Sequence, residues 1–286
     1  MALIENTLFG ERDKVAIAIM RIKEFEPMAL QNDPAGYYVC ISGGKDSSVI
    51  QELCIMAGVK CEFCHNHTSV DHPETVYFVR REQKRLQDLG YTFRIEMPRD
   101  KYGKQKTMWS GISKNGLPTM IARWCCSMLK EYGGMGRYCI IGVRWAESVK
   151  RRNRGVHEEI TRNKNDRVAL NNDNDMKRHL TEICMSKNKL VLNPIIDWSD
   201  DDVWEFIKER KLPVNPLYER GYKRVGCIGC PMAGKKKEKE LNENPKYKNA
   251  YFRAVVRHFE YRKERGLKMD GVMESPESYF EWWLRG

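Results

Sequence analysis

The chain has 286 residues, with 50 Lys+Arg against 39 Asp+Glu and a formal charge of +11. It holds no apolar run near the roughly 18–20 residues of a membrane helix, and Met1-Ala-Leu-Ile-Glu-Asn6 lacks the charged start and apolar centre of a secretory signal, so a cytoplasmic protein with no membrane partner is expected. In that compartment ten cysteines point to metal or redox chemistry rather than to disulfides.

Residues 10–27 carry Val15, Ile19, Ile22 and Phe25 at helical spacing among charges, which predicts an amphipathic helix. Asn32-Asp-Pro-Ala-Gly36 is a turn into an apolar run, Tyr37–Ile41, of the kind a buried parallel strand needs. The run breaks at Ser42-Gly-Gly44 and restarts as a helix holding Val49, Ile50, Leu53 and Cys54. Glycines let backbone N–H groups close around an anion, and the new helix aims its positive end at the same place. Lys45 adds a charge; Ser42, Ser47 and Ser48 add hydroxyls. The stretch is a phosphate cradle, and its spacing is not that of the Walker loop.

Further strands are expected at Val59–Cys64, Tyr91–Met97, Arg137–Val143 and Leu190–Pro194, alternating with helices. His65, His67 and His72 precede a helix begun by Pro73; their spacing matches no standard metal site, so this loop is read as a nucleotide contact. Residues 98–117 read as a mobile loop, and a helix from Pro118 is expected to carry Arg123-Trp-Cys-Cys-Ser-Met128. Asn171-Asn-Asp-Asn-Asp175 reads as an exposed turn. Ser199 caps a helix with Asp202 at the capping-box position, and Trp204 and Phe206 are expected to be core contacts. The whole predicts an α/β chain with a doubly wound, mostly parallel sheet over 31–232, a helical segment over 1–30 and a basic helical appendage over 233–286.

Cys125-Cys126 and Cys227-Ile-Gly-Cys230 supply four thiolates, a full shell for a [4Fe–4S] cubane or a structural zinc. Neighbouring helical residues diverge by about 100°, which suits the larger cubane better than one zinc ion. Cys40, Cys54, Cys139 and Cys184 read as small core residues. Cys61 and Cys64, three apart on a strand, face opposite sides and read as structural.

Ser42-Gly-Gly-Lys-Asp-Ser47 resembles the PP-loop of the ATP pyrophosphatase superfamily, which has the adenine nucleotide α-hydrolase-like fold. With Thr68…Pro73-Glu-Thr75, Cys125-Cys126, Gly142-Val-Arg-Trp-Ala-Glu-Ser148, Asp197-Trp-Ser-Asp-Asp-Asp-Val-Trp204, Asn215-Pro-Leu-Tyr218 and Gly226-Cys-Ile-Gly-Cys230, the chain is similar to the phosphoadenylylsulfate (PAPS) reductase family over about 35–232. The resemblance implies phosphate binding by Ser42, Gly43, Gly44, Lys45, Asp46 and Ser47, with Thr68 in the nucleotide site. Arg144 would be a second anion contact, held by Glu147 and Ser148. It also implies a [4Fe–4S] cluster on Cys125, Cys126, Cys227 and Cys230.

Those reductases attack sulfur with a cysteine in a C-terminal tail, whereas no cysteine follows Cys230 here. The expectation therefore moves to ATP-dependent sulfur transfer onto a nucleic acid, DNA or tRNA, with a cysteine desulfurase as a possible sulfur donor. Lys45, Asp46 and Arg144 would be the catalytic residues and Mg²⁺ a cofactor, with Asp46 its candidate ligand. The basic clusters Lys150–Arg154, Lys235–Lys239 and Arg253–Arg265 fit such a polyanion. Sulfonucleotide reduction with another thiol, an oxidoreductase activity, is one alternative; a non-catalytic iron–sulfur redox sensor is another.

Overall fold

In the computed structural model, which describes residues 3–8, 10–148, 151–152, 154–160, 168–170, 189–234, 236–269 and 271–285, the apolar run at Tyr37 is an inner strand of a seven-stranded sheet. The strands are β3 (Tyr37–Cys40), β4 (Cys61–Asn66), β5 (Thr92–Glu96), β6 (Tyr138–Ile140), β7 (His157–Ile160), β8 (Val168–Leu170) and β9 (Lys189–Leu192), in the order β5-β4-β3-β6-β9-β7-β8. β3 pairs in parallel with β4 and β6, and β6 with β9, as strands buried on both faces do. β7 runs antiparallel to both β9 and β8. These last strands were not expected, because their stretch reads as polar; Glu158 is buried and its carboxylate accepts from the Gly155 N–H at 2.7 Å. Lys150, Lys235, Cys184 and the turn expected at 171–175 lie outside the described residues.

The first expected helix begins later than its periodicity suggested. Residues 4–13 form a hairpin, β1 (Ile4–Thr7) with β2 (Gly10–Asp13), and only then does α1 (Lys14–Glu24) start. Asp13 sets that start by accepting from the N–H groups of Val15 and Ala16 at 2.9 Å. Helix α2 (Glu26–Asn32) follows. Arg21, buried on α1, donates to both oxygens of Asp197 at 2.9 and 3.1 Å and to the Pro194 carbonyl at 2.9 Å. Helix α3 (Lys45–Ala57) ends at Gly58, whose φ of +67° is the left-handed closure that favours glycine. Helix α4 spans Pro73–Asp88.

Residues 98–117 are not simply a loop. Thr107 and Ser110 form a reciprocal cap, and α5 (Met108–Asn115) follows. Nor does a helix begin at Pro118: helical structure resumes at Trp124, and Cys126–Lys130 is a π-turn closed by the Glu131 N–H on the Cys126 carbonyl at 2.9 Å. Helix α6 (Asp200–Glu209) starts at Ser199, with Asp202 completing the predicted capping box. Trp204 corrects another expectation: Phe206 is buried, but Trp204 remains 37% exposed. Helices α7 (Lys236–Glu243), α8 (Pro245–Glu264) and α9 (Pro276–Arg285) follow.

The chain forms two units, each discontinuous in sequence. One comprises Met1–His65, Tyr77–Ile95 and Gly134–Val225; the other comprises Asn66–Val76, Glu96–Gly133 and Gly226–Gly286. The first is built on the sheet. The second is held by an aromatic core in which the rings of Tyr251 and Trp283 lie 5.1 Å apart, and the Trp283 indole donates to the Pro118 carbonyl at 2.7 Å. Gly111 is obligatory there, since a Cβ would fall 2.2 Å from the Trp124 ring. Among the described residues no helix is long and apolar enough to cross a membrane.

Candidate functional site

In the sheet unit the chain leaves β3 and turns at Gly43, where φ is +76°, before α3 begins at Lys45 with Gly44 as its N-cap. The loop is stiffened from within. The Ser42 hydroxyl donates to Ser47 Oγ at 3.2 Å, and Ser47 donates to the Gly44 carbonyl at 2.7 Å. Asn215 Nδ2 donates to the Gly43 carbonyl at 3.0 Å, and the Lys45 N–H donates to the Tyr218 hydroxyl at 2.9 Å. Burial pushes the Tyr218 phenol up to about 12, so it remains a neutral partner.

Two cations converge beside this loop. Lys45 is 7% exposed, and its Nζ donates to Asp200 Oδ1 at 2.6 Å while lying 5.6 Å above the Trp204 ring. Arg144 is 1% exposed. Its Nε donates to Asp46 Oδ1 at 2.7 Å, one terminal nitrogen to Asp200 Oδ1 at 2.5 Å, and the other to the Trp198 carbonyl at 3.2 Å. The hydrogen bond from Lys45, then that from Arg144, holds the Asp200 carboxyl below the usual carboxylate range. Gly142 permits this approach of the β6 loop to α3: a Cβ there would lie 2.9 Å from Asp46 Cβ and 3.0 Å from its backbone.

Glu147 accepts from the Arg144 N–H at 3.1 Å and pairs with Arg151, while the Ser148 carbonyl accepts from the Arg151 N–H at 2.9 Å. Arg151 is surrounded by charge of its own sign. Burial first, then repulsion from Arg224, Arg154 and Arg144, lowers its pKa, with Asp46 opposing. The six loop residues Ser42–Ser47 thus lie with Arg144, Glu147 and Ser148 in one unit, as does Asp200. Asp200 was missed as a site residue because three successive acids at a helix start read as dipole partners. The available signal was that Asp202 alone completes the cap, which leaves Asp200 without that role. Tyr218 and Asn215 carried the resemblance but no assigned chemistry.

The cysteines belong to the other unit. An antiparallel bridge between Asp71 and Cys227, with the Ile228 N–H on the Val70 carbonyl at 2.8 Å, brings the 68–71 loop to the Cys227–Cys230 segment. Thr68, expected among nucleotide contacts, has its hydroxyl 3.5 Å from Cys227 Sγ. Cys125 is hydrogen-bonded to Cys126 and lies within electrostatic reach of Cys227 and Cys230. The shared bond pushes the Cys125 thiol up and brings Cys126 down to about 6; burial raises Cys227, against the pull of Lys130. Cys227 in turn raises Lys130. Gly229 turns with φ +71°, and a Cβ there would meet the Tyr251 ring at 3.0 Å. Tyr251 donates to the Ile228 carbonyl at 2.9 Å.

Cys61 and Cys64 fall in different buried clusters of the sheet unit, in keeping with opposite faces. His65 Nδ1 lies 2.8 Å from the Ile41 carbonyl, and His67 Nδ1 lies 3.1 Å from Asp71. Of the basic clusters, Arg151, Arg152, Arg154, Lys236, Lys237, Lys239 and all of Arg253–Arg265 are described, and Lys237 is buried at 2% exposure.

Residues 36–233 match the model of the phosphoadenosine phosphosulfate reductase domain family. An uncharacterized protein of Methanocaldococcus jannaschii is 29% identical over 241 residues, covering 80% of this chain; the chain spans only 50% of that relative's length. The adenosine 5'-phosphosulfate reductase of Allochromatium vinosum is 45% identical over 42 residues, 15% of this chain and 16% of that protein. Among solved structures, the PAPS reductase of Candida auris in a phosphate complex aligns at TM-score 0.46 and 18% identity, covering 73% of this chain and 88% of that one.

Proposed function

This chain belongs to the phosphoadenosine phosphosulfate reductase domain family, and from that premise we propose that it is an ATP-dependent sulfurtransferase acting on a nucleic acid. The observation that carries the reading is the convergence of two buried cations, Lys45 and Arg144, beside a glycine loop at a helix start, with Arg151, Arg154 and Arg224 around them. Such a site suits a polyphosphate better than a single anion. The acceptor oxygen attacks the α-phosphorus of ATP and pyrophosphate leaves; the outer sulfur of a persulfide on a donor such as a cysteine desulfurase then displaces AMP. A second, external thiol cleaves the resulting S–S bond, releasing the thiolated acceptor and leaving a disulfide on the donor. Lys45 and Arg144 neutralise the charge that develops on the departing pyrophosphate. Asp46 carries the second carboxylate and is the candidate Mg²⁺ ligand, with one oxygen already turned to Arg144. Arg151 and Arg154 extend the positive field toward a polynucleotide backbone.

Cys125, Cys126, Cys227 and Cys230 fit a [4Fe–4S] cluster as a donor set. They are four soft thiols in one unit, with the Thr68 hydroxyl at Cys227 and Lys130 drawn to the same sulfur. When bound, the cluster supplies one-electron chemistry and iron with affinity for sulfur. The chain's own part is to hold four thiolates against nearby positive charge and to exclude water with Tyr251 and Ile228, both fully buried. Protein purified without oxygen should carry about four irons and lose its colour in Cys227→Ser; colourless protein with one zinc would replace the cubane.

A second reading, sulfonucleotide reduction, is favoured by the short segments shared with adenosine 5'-phosphosulfate reductases. Turnover assays with ATP, adenylyl sulfate and phosphoadenylyl sulfate, with tRNA or DNA as acceptor, separate the two. ATP-dependent incorporation of sulfur into nucleic acid supports the first reading. Sulfite release from a sulfonucleotide without such incorporation supports the second. Tight nucleotide binding without any turnover would leave a redox sensor.

A further inference from the structure

Both buried cations at the loop already have an anion. Lys45 Nζ and a terminal nitrogen of Arg144 meet on the same oxygen, Asp200 Oδ1, at 2.6 and 2.5 Å. Asp200 itself is exposed, its side chain retaining 66% of its free surface. Its helix does not need it as a cap: Ser199 and Asp202 bond each other's N–H groups at 3.1 and 2.7 Å, and Asp202 also holds Lys14 Nζ at 2.8 Å. The Asp200 oxygen therefore stands where an anionic oxygen would meet both cations at once. Two anionic oxygens cannot share that point, because their repulsion would add to the loss of a hydrogen bond from each cation.

We propose that Asp200 is a built-in competitor for phosphate, closing the cation pair in the ligand-free protein and swinging outward when a phosphate group enters. This rests on the reading of the loop as a nucleotide-phosphate site and gives that site a charge threshold. A ligand with one or two negative charges gains little more at Lys45 and Arg144 than the carboxylate already supplies, so the exchange is nearly neutral. A polyphosphate brings several charges and can engage the loop as well as the cations, so exchange favours it. Asp200 thus sets a floor that every anion must clear, and the triphosphate end of a nucleotide, with its further contacts to the loop, clears it where inorganic sulfate and phosphate barely do. The displaced carboxylate needs no new partner, being exposed to solvent from the start.

The test is calorimetric titration of the full chain with inorganic pyrophosphate and with inorganic phosphate, in the wild type, Asp200→Asn, Asp200→Ser and Lys45→Ala. Removing the competitor should tighten pyrophosphate binding about tenfold, the modest size reflecting the exposure of Asp200. Inorganic phosphate, weak in the wild type, displaces the same carboxylate and should gain by a similar factor. Unchanged or weaker binding in both Asp200 variants would overturn the proposal and leave Asp200 as a residue that orients the two cations. Equal pyrophosphate affinity in Lys45→Ala and wild type would instead remove the loop as a phosphate site. Carbodiimide labelling of wild-type protein, read by mass spectrometry, gives the answer without a variant. Labelling at Asp200 should rise several-fold when pyrophosphate is added, and unchanged labelling there would also overturn the proposal.

Discussion

In the sheet unit, buried cations end on carboxylates: Arg144 on Asp46 and Asp200, Lys45 on Asp200, and Arg21 on Asp197. Among the described residues of the cysteine unit, buried Lys237 does not. Buried Lys237 donates to the Trp283 carbonyl and lies 4.4 Å from that ring's centroid, with Cys230 the first of the groups drawing on its charge. Lys130 is drawn chiefly to Cys227, and only then to Asp71. Lys45 and Arg144 each already meet a carboxylate, so under the proposal for Asp200 binding an anion between them means exchanging one anion for another. In the cysteine unit Lys130 and Lys237 act on Cys227 and Cys230, as deprotonated sulfur in the proposed cluster would require.

The comparison can be broken most directly by removing one partner from each unit. Asp197→Ala would leave Arg21 buried without its carboxylate partner, a loss of about 3–5 kcal/mol in urea unfolding. Trp283→Ala should cost a similar amount, about 3–5 kcal/mol, by opening the aromatic core instead. A cost below about 1 kcal/mol for Asp197→Ala would show that the ion pair does not hold the sheet unit together.

Next in size is ligand affinity. Lys45→Ala and Arg144→Ala should each weaken ATP or adenylyl sulfate binding by about 1.5–3 kcal/mol, the worth of a hydrogen bond to a charged group. Neither should alter the iron content expected of the proposed cluster. Smaller effects are expected at the two tight glycines. Gly142→Ala pushes a methyl into Asp46, and Gly111→Ala pushes one into Trp124; overpacking of this kind costs about 1–3 kcal/mol. Only Gly142→Ala should also weaken nucleotide binding, because only its clash moves Asp46.

The smallest change is in acid. Burial opposes ionisation of Asp197, but its hydrogen bonds and charge contacts with Arg21 and then Arg12 outweigh this and lower its pKa. A carboxyl whose folded value is depressed contributes stability that is present above its unfolded value, about 3.9, and lost as pH falls through the folded one. Stability from this pair should therefore be flat from pH 5 to 8 and decline below about pH 4. Asp197→Asn should flatten that decline; an unchanged acid limb would place the loss elsewhere.

Much of the loop was legible in order along the chain. A buried strand, two glycines and a helix start are local events governed by φ/ψ freedom and apolar periodicity, and they read directly from Tyr37 to Cys54. The antiparallel edge at β7 was not legible, because Glu158 is buried there and its burial is compensated by the Gly155 N–H and the Arg154 guanidinium, partners that no pattern of apolar periodicity marks. The helix expected from Pro118 failed for a related reason. Periodicity cannot show that the segment bearing Cys125 and Cys126 resumes only at Trp124 and widens into a π-turn. Trp204 was misread because an aromatic at helical spacing looks like core, whereas here it lies beside Tyr218 and beneath Lys45.

By itself the sequence determined where a strand, two glycines and a helix start follow one another, and it pointed to four cysteines in two pairs; Arg144 came from the family resemblance. The loop and the cysteine pairs are statements about residue type and near neighbours, and near neighbours are what local backbone physics constrains. Tertiary structure alone decided what those groups meet. Asp200 is 155 residues from Lys45 and 56 from Arg144, yet one of its oxygens joins them. Thr68 is 159 residues from Cys227, and its hydroxyl reaches the sulfur. No pattern of spacing encodes such meetings, because they depend on how strands pair and helices cross, and a charge acts on whatever the fold brings within a few ångströms.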